Sequence, residues 1–297
     1  MDKRILALIA ALLATSIFGF NHTIAKELMP NVLSPNALLY CRVFGAAVLF
    51  WFISFFFKWE KVEIKDFKLI VICAFFGMGL NMITSLHGLY NSTPINSAII
   101  TTLAPIFIFL ISVLLIKEKI TKRKYLGVFI GFFGTLTLIL LNEKSVINAP
   151  NINLGNFYFF INSLSYALYF VLVKPLTKKY NMITIMKWLF LFSIFINMPF
   201  GLIEFSQINW VEISGTSLLK VSYVVICTTF LVYLLNLYAL KNLKASTVGM
   251  FIYLQPVIGI LFAIYRGADK LTLADITSVL LVFTGVYLVS KKTSKAT

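Results

Sequence analysis

Residues 95–141 read INSAIITTLAPIFIFLISVLLIKEKITKRKYLGVFIGFFGTLTLILL. An apolar helix carries Pro105, a short basic turn follows, and a second apolar helix is rich in glycine. The pattern returns, altered, at 246–290 as STVGMFIYLQPVIGILFAIYRGADKLTLADITSVLLVFTGVYLVS. At a constant offset of 151, Pro105 meets Pro256, Lys119-Ile120-Thr121 meets Lys270-Leu271-Thr272, and Gly134 meets Gly285. The chain is therefore two copies of one plan.

A helix with a central Pro, a Lys-Glu-Lys-Ile-Thr type turn and a Gly-rich helix, in this order and twice, resembles the EamA family of the drug/metabolite transporter superfamily. The likeness covers nearly the whole chain, with 1–145 and 146–297 as the two repeats. The resemblance implies an all-α integral membrane protein of ten transmembrane helices in two inverted five-helix repeats. It also implies efflux of a small metabolite.

Composition reaches the membrane class independently. The chain is 60% hydrophobic and 12% charged, with mean hydropathy +0.91; soluble domains carry roughly twice that charged fraction. Apolar runs of roughly 17–21 residues match the length needed to cross about 30 Å of hydrocarbon. They do not alternate in polarity, which argues against barrel strands. The spans fall near 5–25, 35–57, 69–89, 96–116, 125–141, 157–173, 183–203, 221–240, 247–265 and 273–290.

The net charge of +15 does not point to nucleic acid, because topology places the basic residues. With the N-terminus inside, nineteen of the 26 Lys and Arg fall in inner connections and five in outer ones. The positive-inside bias predicts both termini in the cytoplasm, in a multi-pass cell (inner) membrane protein. Five spans per half then invert the second half relative to the first, a transporter design with its site near the midplane. The basic start before span 1 also fits a signal peptide. Against cleavage, residues 18–26 correspond to 166–174 in span 6.

Polar residues on the spans supply the candidate site. Gly77, Asn81, Thr84, Ser85 and Gly88 share one helical face. Asn162, Ser165, Tyr166 and Tyr169 do the same on span 6, and Thr229, Tyr233 and Asn236 on span 8. Span 1 offers Thr15, Gly19, Asn21 and His22. Such stripes fit two roles: gluing helices together or lining a shared cavity. Pro105 and Pro256 are a sharper signal, since each removes one N–H and frees the carbonyl four residues earlier, at Thr101 and Ile252. Matched breaks in two repeats mark a transporter's binding site. Beside them stand Thr101, Thr102, Tyr253 and Gln255. The expected cavity residues are thus Asn21, His22, Asn81, Ser85, Thr101, Thr102, Asn162, Tyr166, Tyr233, Asn236, Tyr253 and Gln255. Spans 1, 3, 4, 6, 8 and 9 would bound the cavity, with 5 and 10 outside.

Arg42 on span 2 could bind a substrate carboxylate, or snorkel and hold backbone carbonyls. In the family fold span 2 is peripheral, which favours the structural role. Lys187 is expected to snorkel. Glu118 and Asp269 are expected to pair with Lys119 and Lys270. The Gly127–Gly131 GxxxG suits packing inside the bundle more than dimerisation, so the chain is expected to be a monomer or homodimer in the lipid bilayer.

Enzyme signatures are missing from the sequence: it has no P-loop, no HExxH, no GxSxG and no Cys–His metal spacing. Cys41, Cys73 and Cys227 sit in apolar runs and suit buried thiols. The expectation is a non-enzyme with no cofactor and no metal, exporting a small polar metabolite, with an amino acid or derivative leading by resemblance. A non-transporting scaffold is the competing class. No Asp or Glu falls in the middle of a span, so facilitated diffusion or exchange is expected. Proton coupling through His22 or His87 is the alternative.

Overall fold

The computed structural model describes residues 2–92, 100–118, 121–141, 150–255, 257–258 and 273–290. Every element among the described residues is helical. We number the long helices α1 (Lys3–Leu28), α2 (Pro35–Ser54), α3 (Ile64–Asn91), α4 (Leu103–Ile116), α5 (Lys122–Leu141), α6 (Ile152–Leu172), α7 (Met182–Ser206), α8 (Gly215–Asn242), α9 (Ala245–Gly249, tightening into a 3₁₀ turn over Met250–Tyr253) and α10 (Leu273–Ser290). The 145/146 repeat boundary, Pro256, Asp269 and Lys270 lie outside the described residues.

Helix starts follow from local chemistry. Ser34 caps α2 through Ala37 N–H, with Pro35 in the first turn. Asn151, Asn181 and Ser214 accept from the opening N–H groups of α6, α7 and α8. Each satisfies one of the donors a helix start leaves orphaned. Between the caps the chain is apolar. Six stretches among the described residues are long and apolar enough to cross a membrane: α1, α2, α3, α6 with its continuation to Lys179, α7 and α8. Leu103–Ile116 and Val279–Val289 are shorter apolar helices.

The helices pair across the two halves. The major contacts join α5 to α10, α2 to α7, α3 to α6, and α1 to α8. Exchanging the halves turns α1–α8 into α6–α3 and returns the other two pairs to themselves, so the packing is pseudo-symmetric. The α5–α10 seam brings backbone against backbone. A Cβ on Gly285 would stand 2.6 Å from the Gly127 carbonyl oxygen and 2.7 Å from Gly131 N. The GxxxG glycines thus serve packing within the chain, as small residues do where lipid supplies no hydrophobic drive between helices.

Two lysines at equivalent positions clamp helix ends. Lys26 Nζ donates to the Leu89 and Tyr90 carbonyls at the end of α3, at 2.6 and 3.1 Å. Lys174 Nζ donates to Leu240 O at 2.8 Å and to Leu243 O at the end of α8. Terminal carbonyls lack helical partners and sit at the negative end of the dipole, so an ammonium there is favourable. Lys26→Met and Lys174→Met are each expected to lower stability by about 1–2 kcal/mol, seen as a reduced Tm of the purified protein. Unchanged Tm in both would show that these contacts contribute nothing.

Two charged side chains make contacts that the sequence does not name. Lys187 has a buried stem and carries its ammonium to the connection after α2, 3.9 Å from the ring centroid of the exposed Trp59 and 5.2 Å from that of Trp51. The aromatic faces attract the charge. Glu118 pairs with Lys124 at 3.3 Å, one turn into α5; Lys119 lies outside the described residues. The left-handed Lys117, φ 49°, ends α4 and turns the chain so that Glu118 faces α5.

Candidate functional site

α3 and α8 each contain a π-helical segment, Phe75–Leu80 and Tyr223–Leu231. They occupy equivalent places in the two halves. A π turn displaces carbonyls from the regular i→i−4 ladder and recurs at functional sites. Here side chains take up those carbonyls. Ser165 Oγ donates to Phe76 O at 2.7 Å, and Tyr233 OH to Gly77 O at 3.1 Å. In the second segment, Thr228 and Thr229 both donate to Val224 O, at 2.7 and 2.8 Å.

A cavity of about 60 Å³ lies among the helices of both halves, reached by α3 and α8 just past these segments, at Asn81 and Val232. α1 contributes Thr15 and Phe18, and α3 contributes Asn81 and Ser85. Thr101 and Ala104 come from the start of α4, and Asn162, Ser163, Tyr166 and Phe170 from α6. Tyr233 and Asn236 project from α8, and Val248, Ile252 and Gln255 from α9 and its continuation. None of its lining residues belongs to α5 or α10. The volume has room for a few waters. Small-molecule sites run to about 300–1,000 Å³, so the cavity as it stands is smaller than such a site.

Of the expected cavity residues, Asn81, Ser85, Thr101, Asn162, Tyr166, Tyr233, Asn236 and Gln255 are on this wall. They also hold it together. Asn81 Nδ2 donates to Asn162 O at 3.3 Å, and Asn162 Nδ2 returns the bond to Asn81 O at 2.8 Å. Asn236 Nδ2 donates to Tyr166 OH at 3.3 Å. Packing and lining are therefore one role at these positions.

Three expected residues are not on the wall. Tyr253 is fully buried and turned toward α5, where a Cβ on Gly131 would meet its ring at 2.8 Å; the missing side chain makes its slot. Asn21 and Thr102 are buried but outside the lining. His22 lies within α1, and its side chain is outside the described set. Pro105 is not mid-helix. It stands in the first turn of α4, and the helix breaks at Thr102. A proline N–H is not needed there, since first-turn donors lack helical partners anyway. At the equivalent place in the second half, Met250–Tyr253 tightens to a 3₁₀ turn.

One residue enters the wall against expectation. Arg42 lines the cavity and is only 2% exposed. Its Nε donates to Thr229 Oγ1 at 3.0 Å. α2 reaches the cavity at this point because its neighbour is the π segment of α8.

Polar clusters join helix ends of the bundle. Lys124 Nζ contacts Glu118, Ser246 Oγ at 2.9 Å and Thr247 Oγ1 at 3.1 Å, tying α4, α5 and α9 together. At the start of α2, Asn36 Nδ2 donates to Glu204 Oε1 at 2.7 Å. Asn36 Oδ1 lies 2.8 Å from His87 Nε2, and Ser34 also bonds Glu204. A larger polar pocket of about 600 Å³ borders this second cluster. It is lined by helix ends and turns on one side, so the smaller cavity between the halves is the candidate site.

Known proteins supply an independent comparison. The model of the EamA-like transporter family matches residues 5–140 and again 153–291. An uncharacterized transporter of Archaeoglobus fulgidus is 28% identical over 283 residues, covering 94% of this chain and 97% of that one. A WAT1-related protein of Arabidopsis thaliana is 25% identical over 270 residues, covering 77% of this chain and 71% of that one. One solved crystal structure superposes with a TM-score of 0.75 at 16% identity, over 97% of this chain and 96% of the other, a likeness of fold. With the family matched over both halves, the chain belongs to the EamA-like transporter family and is a multi-pass membrane transporter.

Proposed function

We propose that the chain exports a small polar metabolite, an amino acid or derivative, across the cell (inner) membrane by alternating access at the central cavity. The observation that carries this reading is a polar cavity walled by helices from both halves, its α3 and α8 walls beginning at Asn81 and Val232, directly after the matching π segments. Two pseudo-symmetric halves can close toward either side in turn, which is the geometry alternating access needs. In this reading ten spans form two inverted repeats with both termini cytoplasmic, and the molecule works as a monomer or homodimer without catalysing a reaction.

Energy coupling follows from charge. Among the described residues, no carboxylate lines the cavity, so substrate and proton have no shared acid to compete for. We therefore favour facilitated diffusion or exchange. Counterflow of a substrate in proteoliposomes at equal pH is expected to proceed, and an imposed pH gradient is not expected to drive accumulation. Proton-coupled antiport is the second reading, favoured by the His87–Asn36–Glu204 contacts. It would replace the first if a pH gradient alone drove uphill flux that His87→Gln abolished.

Topology is checked separately by cysteine labelling. Positions in 58–68 and 117–124 are expected to react only from the cytoplasm, and Asn91→Cys and Asn148→Cys only from outside. The reverse pattern would overturn the inverted arrangement.

A further inference from the structure

We propose that Arg42 is the anion-recognising residue of the cavity, and that the substrate presents a carboxylate on a small apolar body. This rests on the transport reading above and names its substrate class. The guanidinium is buried in a chain that spans a membrane, where an uncompensated charge is unfavourable. Buried charges in folded proteins are ordinarily paired. Among the described residues, Arg42 has no carboxylate partner: its hydrogen bond is Nε to Thr229, an uncharged hydroxyl.

The geometry of that one bond matters. Thr229 occupies Nε and fixes the plane of the group. The two terminal nitrogens make no hydrogen bond to a described residue and, beside Tyr233 on the same wall, are available to grip two oxygens of one carboxylate end-on. Thr229 does not depend on Arg42 in return, since its own hydroxyl donates to Val224 O. The wall also lacks an acidic side chain that would receive an ammonium, so within the amino-acid reading it favours a derivative without a free amino group. The rest of the surface suits an apolar body. Phe18, Tyr166, Phe170 and Tyr233 lie on it, with the Tyr166 and Phe170 ring centroids 5.2 Å apart.

A structural arginine and a recognising one respond differently to removal. A structural Arg42 would leave its helix contacts broken when replaced. A recognising Arg42 places an unpaired charge in the empty-handed protein, so its removal relieves strain without stranding a partner. The test uses the purified full chain, wild type and Arg42→Gln and Arg42→Lys. The probes are matched by shape: phenylacetate, phenylacetamide and phenethylamine, then phenylalanine and its amide, with sodium chloride and inorganic phosphate as simple-anion controls. Binding is read as a dose-dependent rise in Tm, and movement as counterflow in proteoliposomes.

The expected result is binding of at least one organic carboxylate and not of its amide or amine counterpart. Arg42→Gln weakens that binding roughly 10- to 100-fold, as loss of a charge-assisted pair does, and Arg42→Lys falls between. Without ligand, the Tm of Arg42→Gln is no lower than that of wild type. The inference is overturned if the amide binds as well as the acid, or if Arg42→Gln keeps full affinity. It is also overturned if Arg42→Gln melts early and loses all probes alike, if only the simple anions bind, or if no probe binds. Counterflow of an uncharged or cationic probe, untouched by Arg42→Gln, would leave transport standing and this inference refuted. Carboxylate binding through Arg42 with no counterflow of any probe would leave this inference standing and the transport reading refuted.

Discussion

Lys124→Met is expected to destabilise the protein more than any other single change considered, by about 3–5 kcal/mol. Lys124 and Glu118 are only 4% and 5% exposed. Removing the ammonium leaves the Glu118 carboxylate buried with one hydroxyl donor, Ser246, and without its paired charge. Ser246 still donates to Glu118, but Ser246 and Thr247 lose the ammonium that joined them to α5. Three helices meet at this cluster, so the penalty is not confined to one contact. Thermal unfolding of purified protein checks it, and the double variant Glu118→Gln with Lys124→Met is expected to recover most of the loss. If the single variant melts with the wild type, the pair is solvated and this account of the end of the bundle is wrong.

Gly285→Val is expected to have the second largest effect, about 1–3 kcal/mol or more. Several glycines in the bundle, such as Gly79 and Gly249, face isoleucine side chains. Gly285 faces backbone instead: a Cβ there would stand 2.6 Å from Gly127 O, 2.7 Å from Gly131 N and 2.8 Å from Gly131 Cα. No rotamer change relieves that, so α5 and α10 must separate. The seam contributes no lining residue to the cavity. Gly285→Val should therefore lower Tm and yield while leaving flux per folded molecule near wild type. Asn81→Leu should do the opposite to flux, because it removes a wall group whose amide spans to α6. A Gly285→Val protein with normal Tm would mean that the seam is looser than described.

Much of this arrangement was legible in the sequence, for stated reasons. Apolar runs of span length and the 151-residue offset gave the two halves. Helical periodicity put Asn81 and Ser85 on one face, and Asn162 and Tyr166 on another, and the packing turned those faces toward each other. What escaped was set by neighbours. Nothing in the local pattern around Phe75–Leu80 or Tyr223–Leu231 marks a π turn, apart from Gly77 and Gly79. Arg42 stands alone among apolar residues, so its depth could not be told from α2. Tyr253 has the polarity of a wall residue, but the slot left by Gly131 draws it to α5. Glu118 pairs with Lys124 after the left-handed turn at Lys117, a contact six residues apart that the sequence does not signal; its neighbour Lys119 lies outside the described residues. Pro105 signals a break truly, but the break falls at Thr102, ahead of it.

The central claim is that substrate passes through the cavity between the halves, open to each side in turn. The most direct measurement uses a single cysteine at Ser85, on the cavity wall, with Cys41, Cys73 and Cys227 replaced. A membrane-impermeant thiol reagent is added to one face of proteoliposomes or the other, and both modification and counterflow are followed. Alternating access predicts that Ser85→Cys reacts from either face, and that its modification abolishes counterflow. Reaction from neither face, or full modification with flux unchanged, would contradict it.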